Sequence, residues 1–110
     1  MNRVILQSPY ATHDPICMDT NMRYARAAML GSIGRGESPF MAHLLFTQAL
    51  DDMAAGQREQ AFELAFSWYE TASSVAVYTD LGISAGMERG IAHAKSLGLT
   101  VDERTVPDWK

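Results

Sequence analysis

Two short runs decide most of what this chain can become. Val4-Ile5-Leu6 and Val75-Ala76-Val77-Tyr78 are wholly apolar, and each stops abruptly, at Ser8-Pro9 and at Thr79-Asp80. A strand with one wet face alternates apolar and polar residues; these do not, so both of their faces must be covered. That is the signature of strands buried in a parallel sheet. The chain between and after them carries helical spacing. Met22, Ala25 and Met29 predict a helix over about 21–30, capped by Asp19 or Thr20 and stopped by Gly31 and Gly34. Leu45, Ala49 and Met53 predict a second over 44–54, broken by Gly56. Phe62, Ala65, Phe66 and Tyr69 predict a third over 58–69. Met87, Ile91 and Ala94 predict a fourth over 84–97, ended by Gly98. Residues 11–19, with Pro15, and the Gly- and Ser-rich residues 31–38 read as loops. Phe40 to His43 and Leu99-Thr100-Val101 read as two further short strands. Strands alternating with helices give an α/β sandwich around a mostly parallel sheet, with helices on both faces.

Length and charge narrow the function. The chain has 110 residues, read here as a single domain over 1–110 whose short length leaves a deep pocket to be finished by a second subunit. Nine basic against thirteen acidic residues, a net charge of −4, argue against a nucleic acid polymer as partner, which needs a row of Lys and Arg. A single phosphate on a helix N-terminus stays open. Cys17 is the one cysteine, so no disulfide forms within the chain, which suits a reducing cytoplasm. The apolar run at the N-terminus is too short for a signal peptide, and no stretch approaches membrane-spanning length. His13, His43 and His93 lie far apart with no metal-helix spacing, so no metal and no cofactor are expected. Trp109, in an otherwise polar tail, packs back on the body or on a partner.

In parallel α/β sheets ligands bind beyond the carboxyl ends of the strands. Three segments meet there: Ser8-Pro9-Tyr10, the turn near His43, and Asp80 to Glu88. With Ser84 as N-cap, Glu88 lies just past the first helical turn, where the dipole and free amides favour an ionised carboxylate. That suits a nucleophile, though taken alone it suits better a carboxylate that merely stabilises a solvated helix start. Asp80, at a strand end, suits acid/base work in the cleft or simply begins a turn. Gly82 and Gly86 permit close backbone approach to a ligand, or serve turn geometry alone. Their spacing is neither the dinucleotide fingerprint nor a P-loop. Tyr10 can bring its hydroxyl to the cleft or stay half-buried.

These segments, in this order, resemble a known family. Ser8-Pro9-Tyr10, Asn21 with Tyr24-Ala25-Arg26-Ala27-Ala28, Pro39-Phe40-Met41-Ala42-His43-Leu44-Leu45, and the run from Val77 through Gly86-Met87-Glu88-Arg89-Gly90-Ile91-Ala92 are similar to the nucleoside 2-deoxyribosyltransferase-like superfamily. The likeness is greatest to its small, often phage-encoded members, which are related to deoxynucleoside monophosphate N-hydrolases. The resemblance covers nearly the whole chain. It implies a Rossmann-like three-layer sandwich and cleavage or transfer of the N-glycosidic bond of a nucleoside or nucleoside monophosphate. It implies Glu88 as nucleophile, Asp80 as a sugar or base contact and Tyr10 as the tyrosine assisting the nucleophile. Ser8, Pro9, His43, Gly82, Ser84, Gly86 and Met87 would hold the ligand. It also implies a homo-oligomer whose neighbouring subunit closes the pocket. The family's usual proton-donating acid before the strand at Val75 has no match in register: Glu70 is shifted, and Ser73 or Ser74 takes the place. That difference keeps a second reading beside the first, a protein that sequesters a nucleotide-derived small molecule without cleaving it.

Overall fold

The computed structural model describes residues 1–110. Four strands, β1 (Arg3–Gln7), β2 (Ser38–Phe40), β3 (Ser74–Tyr78) and β4 (Thr100–Arg104), form one sheet in the order β2-β1-β3-β4, every neighbouring pair parallel. The helices are α1 (Pro15–Gly34), the single-turn α2 (Ala42–Leu45) followed by a 3-10 turn at Phe46–Gln48, α3 (Ala55–Tyr69) and α4 (Ala85–Ser96). No helix is long and apolar enough to cross a membrane. The α/β expectation, a parallel sheet with helices on both faces, holds.

Register sorts the side chains by parity. β1 pairs with β3 from Val4 opposite Ser74 to Gln7 opposite Val77. Val4, Leu6, Ala76 and Tyr78 therefore share one face, where they pack with Tyr24, Ala25 and Ala28 of α1. Ile5, Val75 and Val77 share the other, where they meet Tyr69 of α3 and Met87 and Ala94 of α4. Both faces are dry, which is why the two central strands are continuously apolar. Trp109 docks on the α1 face, its ring edge-on to Tyr24 at 5.2 Å between centroids.

Several local expectations are corrected. Helix α1 starts six residues earlier than 21 because Asp14 is its cap, accepting a hydrogen bond from the Ile16 amide at 2.9 Å. Pro15 occupies the first helical position, where its fixed φ is an advantage and no N–H is needed. The same helix runs through Gly31 to Gly34; a Cβ on Gly31 would stand 3.3 Å from Val106 of the C-terminal segment. The strand expected over Phe40–His43 lies earlier, at Ser38–Phe40, on a sheet edge that tolerates Pro39. The helix expected over 44–54 is interrupted. Asp51 Oδ1 accepts from the Met53 amide at 2.9 Å and Gln57 Oε1 from the Asp51 amide at 2.7 Å, so side chains take the backbone donors a helix would use. Helix α3 in turn begins at Ala55, with Gly56 in its first turn.

One polar cluster locks the α1 face. The Arg104 guanidinium grips Glu37 through two bonds of 2.7 and 2.8 Å and reaches Asp102 at 2.8 Å. Ser32 adds a hydroxyl to Glu37 at 2.8 Å. The Arg104 bonds hold the Glu37 carboxyl below the usual carboxylate range. This ties β4 to the segment joining α1 and β2.

Candidate functional site

From β1 the chain crosses to β2 on one side; from β3 it crosses to β4 on the other. The carboxyl ends of β1 and β3 thus splay their connections apart and leave a crevice between them. A cavity of about 340 Å³ opens there, on the face covered by α3 and α4. That is the size of a small-molecule site.

Its walls come from four separate segments. The end of β1 supplies Gln7, Ser8, Pro9 and Tyr10; the α2 region supplies His43 and Phe46; α3 supplies Arg58, Phe62, Phe66 and Tyr69; the start of α4 supplies Ser84, Gly86, Met87 and Gly90. Ser8 Oγ and His43 Nε2 are hydrogen-bonded at 2.9 Å, and the Tyr10 ring lies 5.3 Å from the imidazole. Asn21 holds the Tyr10 carbonyl at 3.0 Å, and Thr47 donates to the His43 carbonyl at 2.6 Å. Desolvation brings the His43 pKa down to about 4, so the ring is neutral at pH 7.

The start of α4 is built for backbone exposure. Ser84 Oγ caps it, accepting from the Met87 amide at 3.2 Å. Gly86 lets α3 approach: a Cβ there would meet an Arg58 nitrogen at 3.3 Å and the Phe62 ring at 3.5 Å. Arg58 is held by Asp52 at 3.5 Å. Arg89 stacks over the outer side of Phe62, 4.1 Å from the ring centroid, and is clamped by Glu59 through bonds of 2.6 and 2.7 Å. No three His, Cys, Asp or Glu side chains converge as metal ligands do.

Seven of the residues singled out in the sequence, Ser8, Pro9, Tyr10, His43, Ser84, Gly86 and Met87, line this one cavity. Three do not. Asp80 shares the parity of Tyr78 and so turns toward α1, where its Oδ1 accepts from the Tyr24 hydroxyl at 2.7 Å and the Val106 amide at 2.9 Å. Burial, with the Asp80 bond second, holds the Tyr24 phenol well above its ordinary range. The reading of Asp80 as a carboxylate opening onto the cleft is thereby corrected. Gly82, at φ +85°, serves the turn, with no neighbour within 4 Å of a Cβ placed there. Glu88 is in the first turn of α4, slightly earlier in the helix than expected, and is exposed and off the cavity wall: a step of about 100° from Met87 carries its side chain away from the side facing α3. Gln7, Arg58 and Tyr69 were not singled out. The one visible signal was Gln7, a polar residue ending an apolar strand.

The model of a domain of unknown function, DUF7768, matches residues 2–104. The chain belongs to that family. No curated protein is similar enough in sequence to count as a match. Among solved structures, this DUF7768 domain is similar to a 2-deoxyribosyltransferase from Bacillus psychrosaccharolyticus, with a TM-score of 0.69 at 13% identity over 94% of this chain and 72% of that one. At that identity the likeness shows a shared fold, the one the sequence resemblance implied. The cavity of the DUF7768 domain stands on its own residues.

Proposed function

We propose that this chain binds a nucleoside or nucleoside monophosphate in the crevice between β1 and β3. The observation that carries the reading is the composition of one cavity at the switch point. Phe62, Phe66 and Tyr10 give flat apolar walls for a base, while the α4 start and Arg58 offer donors for a sugar or phosphate. The wall's only carboxylate, Asp52, is paired with Arg58. That favours capture of the ligand over its cleavage. The partner is a small molecule, and a second copy of the chain closes the cavity mouth. Light scattering at micromolar protein tests the last point, and a monomer there removes it.

Cleavage or transfer of the N-glycosidic bond, with Glu88 as nucleophile, is the second reading. The likeness in fold to a 2-deoxyribosyltransferase supports it, as does the place of Glu88 one residue beyond the cavity-lining Met87. It requires α4 to present the Glu88 side chain to the ligand, with Tyr10 assisting.

One experiment separates the two. Nucleosides and their 5′-monophosphates are screened by thermal shift, then the ligand is recovered by denaturation and chromatographed. A binder stabilises by about 2.7 kcal/mol at a hundredfold excess over its Kd and returns intact ligand. A free base, lost in Glu88→Gln, establishes cleavage instead. No thermal shift with any member of the panel removes both readings.

A further inference from the structure

Arg58 and Asp52 are the only ionised side chains on the cavity wall at pH 7, and they are paired with each other. Both polar contacts of the Arg58 guanidinium are to Asp52: Nη1 stands 3.5 Å from its carboxylate and 3.5 Å from its main-chain carbonyl. Neither side chain is sealed off, at 34% and 19% exposed, so both keep surface that a ligand can touch. The turn that carries Asp52 is tied down on either side. Gln57 accepts from the Asp51 amide at 2.7 Å, and Asp51 accepts from the Met53 amide at 2.9 Å. No spare cation stands behind Arg58. Arg89, over Phe62, is taken by Glu59 through two bonds and does not line the cavity. Segments 51–59 and 84–90 together carry four carboxylates, Asp51, Asp52, Glu59 and Glu88, against these two guanidiniums.

We propose that Asp52 sets the charge preference of the cavity: by holding the charge of Arg58, it makes the site take an uncharged nucleoside and turn away the 5′-monophosphate. The proposal rests on the nucleoside-binding reading and narrows it. A monophosphate brings a charge of about −1.5 to −2. The start of α4 supplies the equivalent of only about half a positive charge. To balance the rest, Arg58 would have to leave Asp52. That largely covered carboxylate would then stay beside the phosphate with no cation of its own. A nucleoside requires no such exchange. Its hydroxyls can donate to the Asp52 carboxylate and accept from Arg58 while the pair stays closed.

The test is isothermal calorimetry on the full chain at pH 7 with uridine and adenosine against their 5′-monophosphates. In the wild type the better-bound nucleoside should exceed its own monophosphate in affinity by at least about tenfold. Asp52→Asn keeps the size of the side chain and removes its charge, which frees Arg58. The ratio of monophosphate to nucleoside affinity should then rise by at least about tenfold, and added salt should shrink that gain. In Asp52→Asn/Arg58→Gln the gain should vanish, a result that a merely structural role of Asp52 would not produce. The wild-type comparison needs no variant to fold. A wild type that prefers the monophosphates overturns the assignment while leaving the site standing, and so does a ratio unchanged in Asp52→Asn. Absence of binding by all four ligands overturns both the assignment and the nucleoside reading.

Discussion

Lowering the pH from 7 to 5 should cost the folded chain about 2 kcal/mol through His43 alone. The ring has an ordinary pKa of 6.5 in the unfolded chain and about 4 in the folded one, where desolvation opposes its charge. As the pH falls through 6.5 the unfolded chain takes up a proton that the folded chain refuses until about 4. In that window the unfolded state binds more protons, so stability falls as the pH falls. The gap of 6.5 − 4 corresponds to about 3 kcal/mol once the pH is below 4, of which about 2 is lost by pH 5. Against a typical total of about 5–15 kcal/mol the loss is easily measured. The assay is urea unfolding at pH 7 and pH 5 for the wild type and for His43→Gln, which cannot titrate there. Every other ionisable group is common to both, so the difference between the two pH slopes isolates His43. Equal losses in the two proteins would refute the reasoning.

Three further changes probe separate parts of the fold. Gly90→Ala drives a methyl into the Gln7 amide and should destabilise by about 1–3 kcal/mol while weakening any ligand in the cavity, both read from melting curves with and without nucleoside. Arg104→Met leaves the Glu37 carboxylate without its guanidinium and should cost about 3 kcal/mol, with much of it restored in the double change that adds Glu37→Gln. Chemical denaturation of the three proteins measures that coupling. Asp14→Ala removes the cap of α1 and should speed amide exchange at Ile16 while leaving exchange at Tyr24 unchanged.

The sheet was legible because burial on both faces leaves a direct imprint: Val4 to Leu6 and Val75 to Tyr78 have no polar position to hide. The beginning of α4 was legible for a different reason, since Ser84 is a strong cap and Gly98, at φ +74°, is a plain stop. The start of α1 was misread because Pro15 carries opposite meanings at a helix start and inside a helix, and only Asp14 before it tells them apart. The stretch from Leu44 to Ala54 has a helical period yet lost the contest for its amides to Asp51 and Gln57. The site was half legible. Residues on the strand ends could be placed by topology, which is how Ser8, Tyr10 and Ser84 came together. The facing of Asp80 depended on strand parity carried past Tyr78, and that of Glu88 on one helical step. The bond between the cavity-lining Gln7 and Tyr69 joins residues 62 apart, and no local pattern announces such a pairing.

The sheet also works as a partition. On one side stand α1, the Arg104 cluster and Trp109, none of which touches the cavity; on the other stand the crevice and the two helices that shape it. Losses incurred while refashioning the crevice can be offset by substitutions behind the sheet that never meet the ligand. A family built this way can change what it holds without changing what holds it together. Libraries for new ligand specificity belong on α3 and the first turns of α4, with the compensating changes sought along α1.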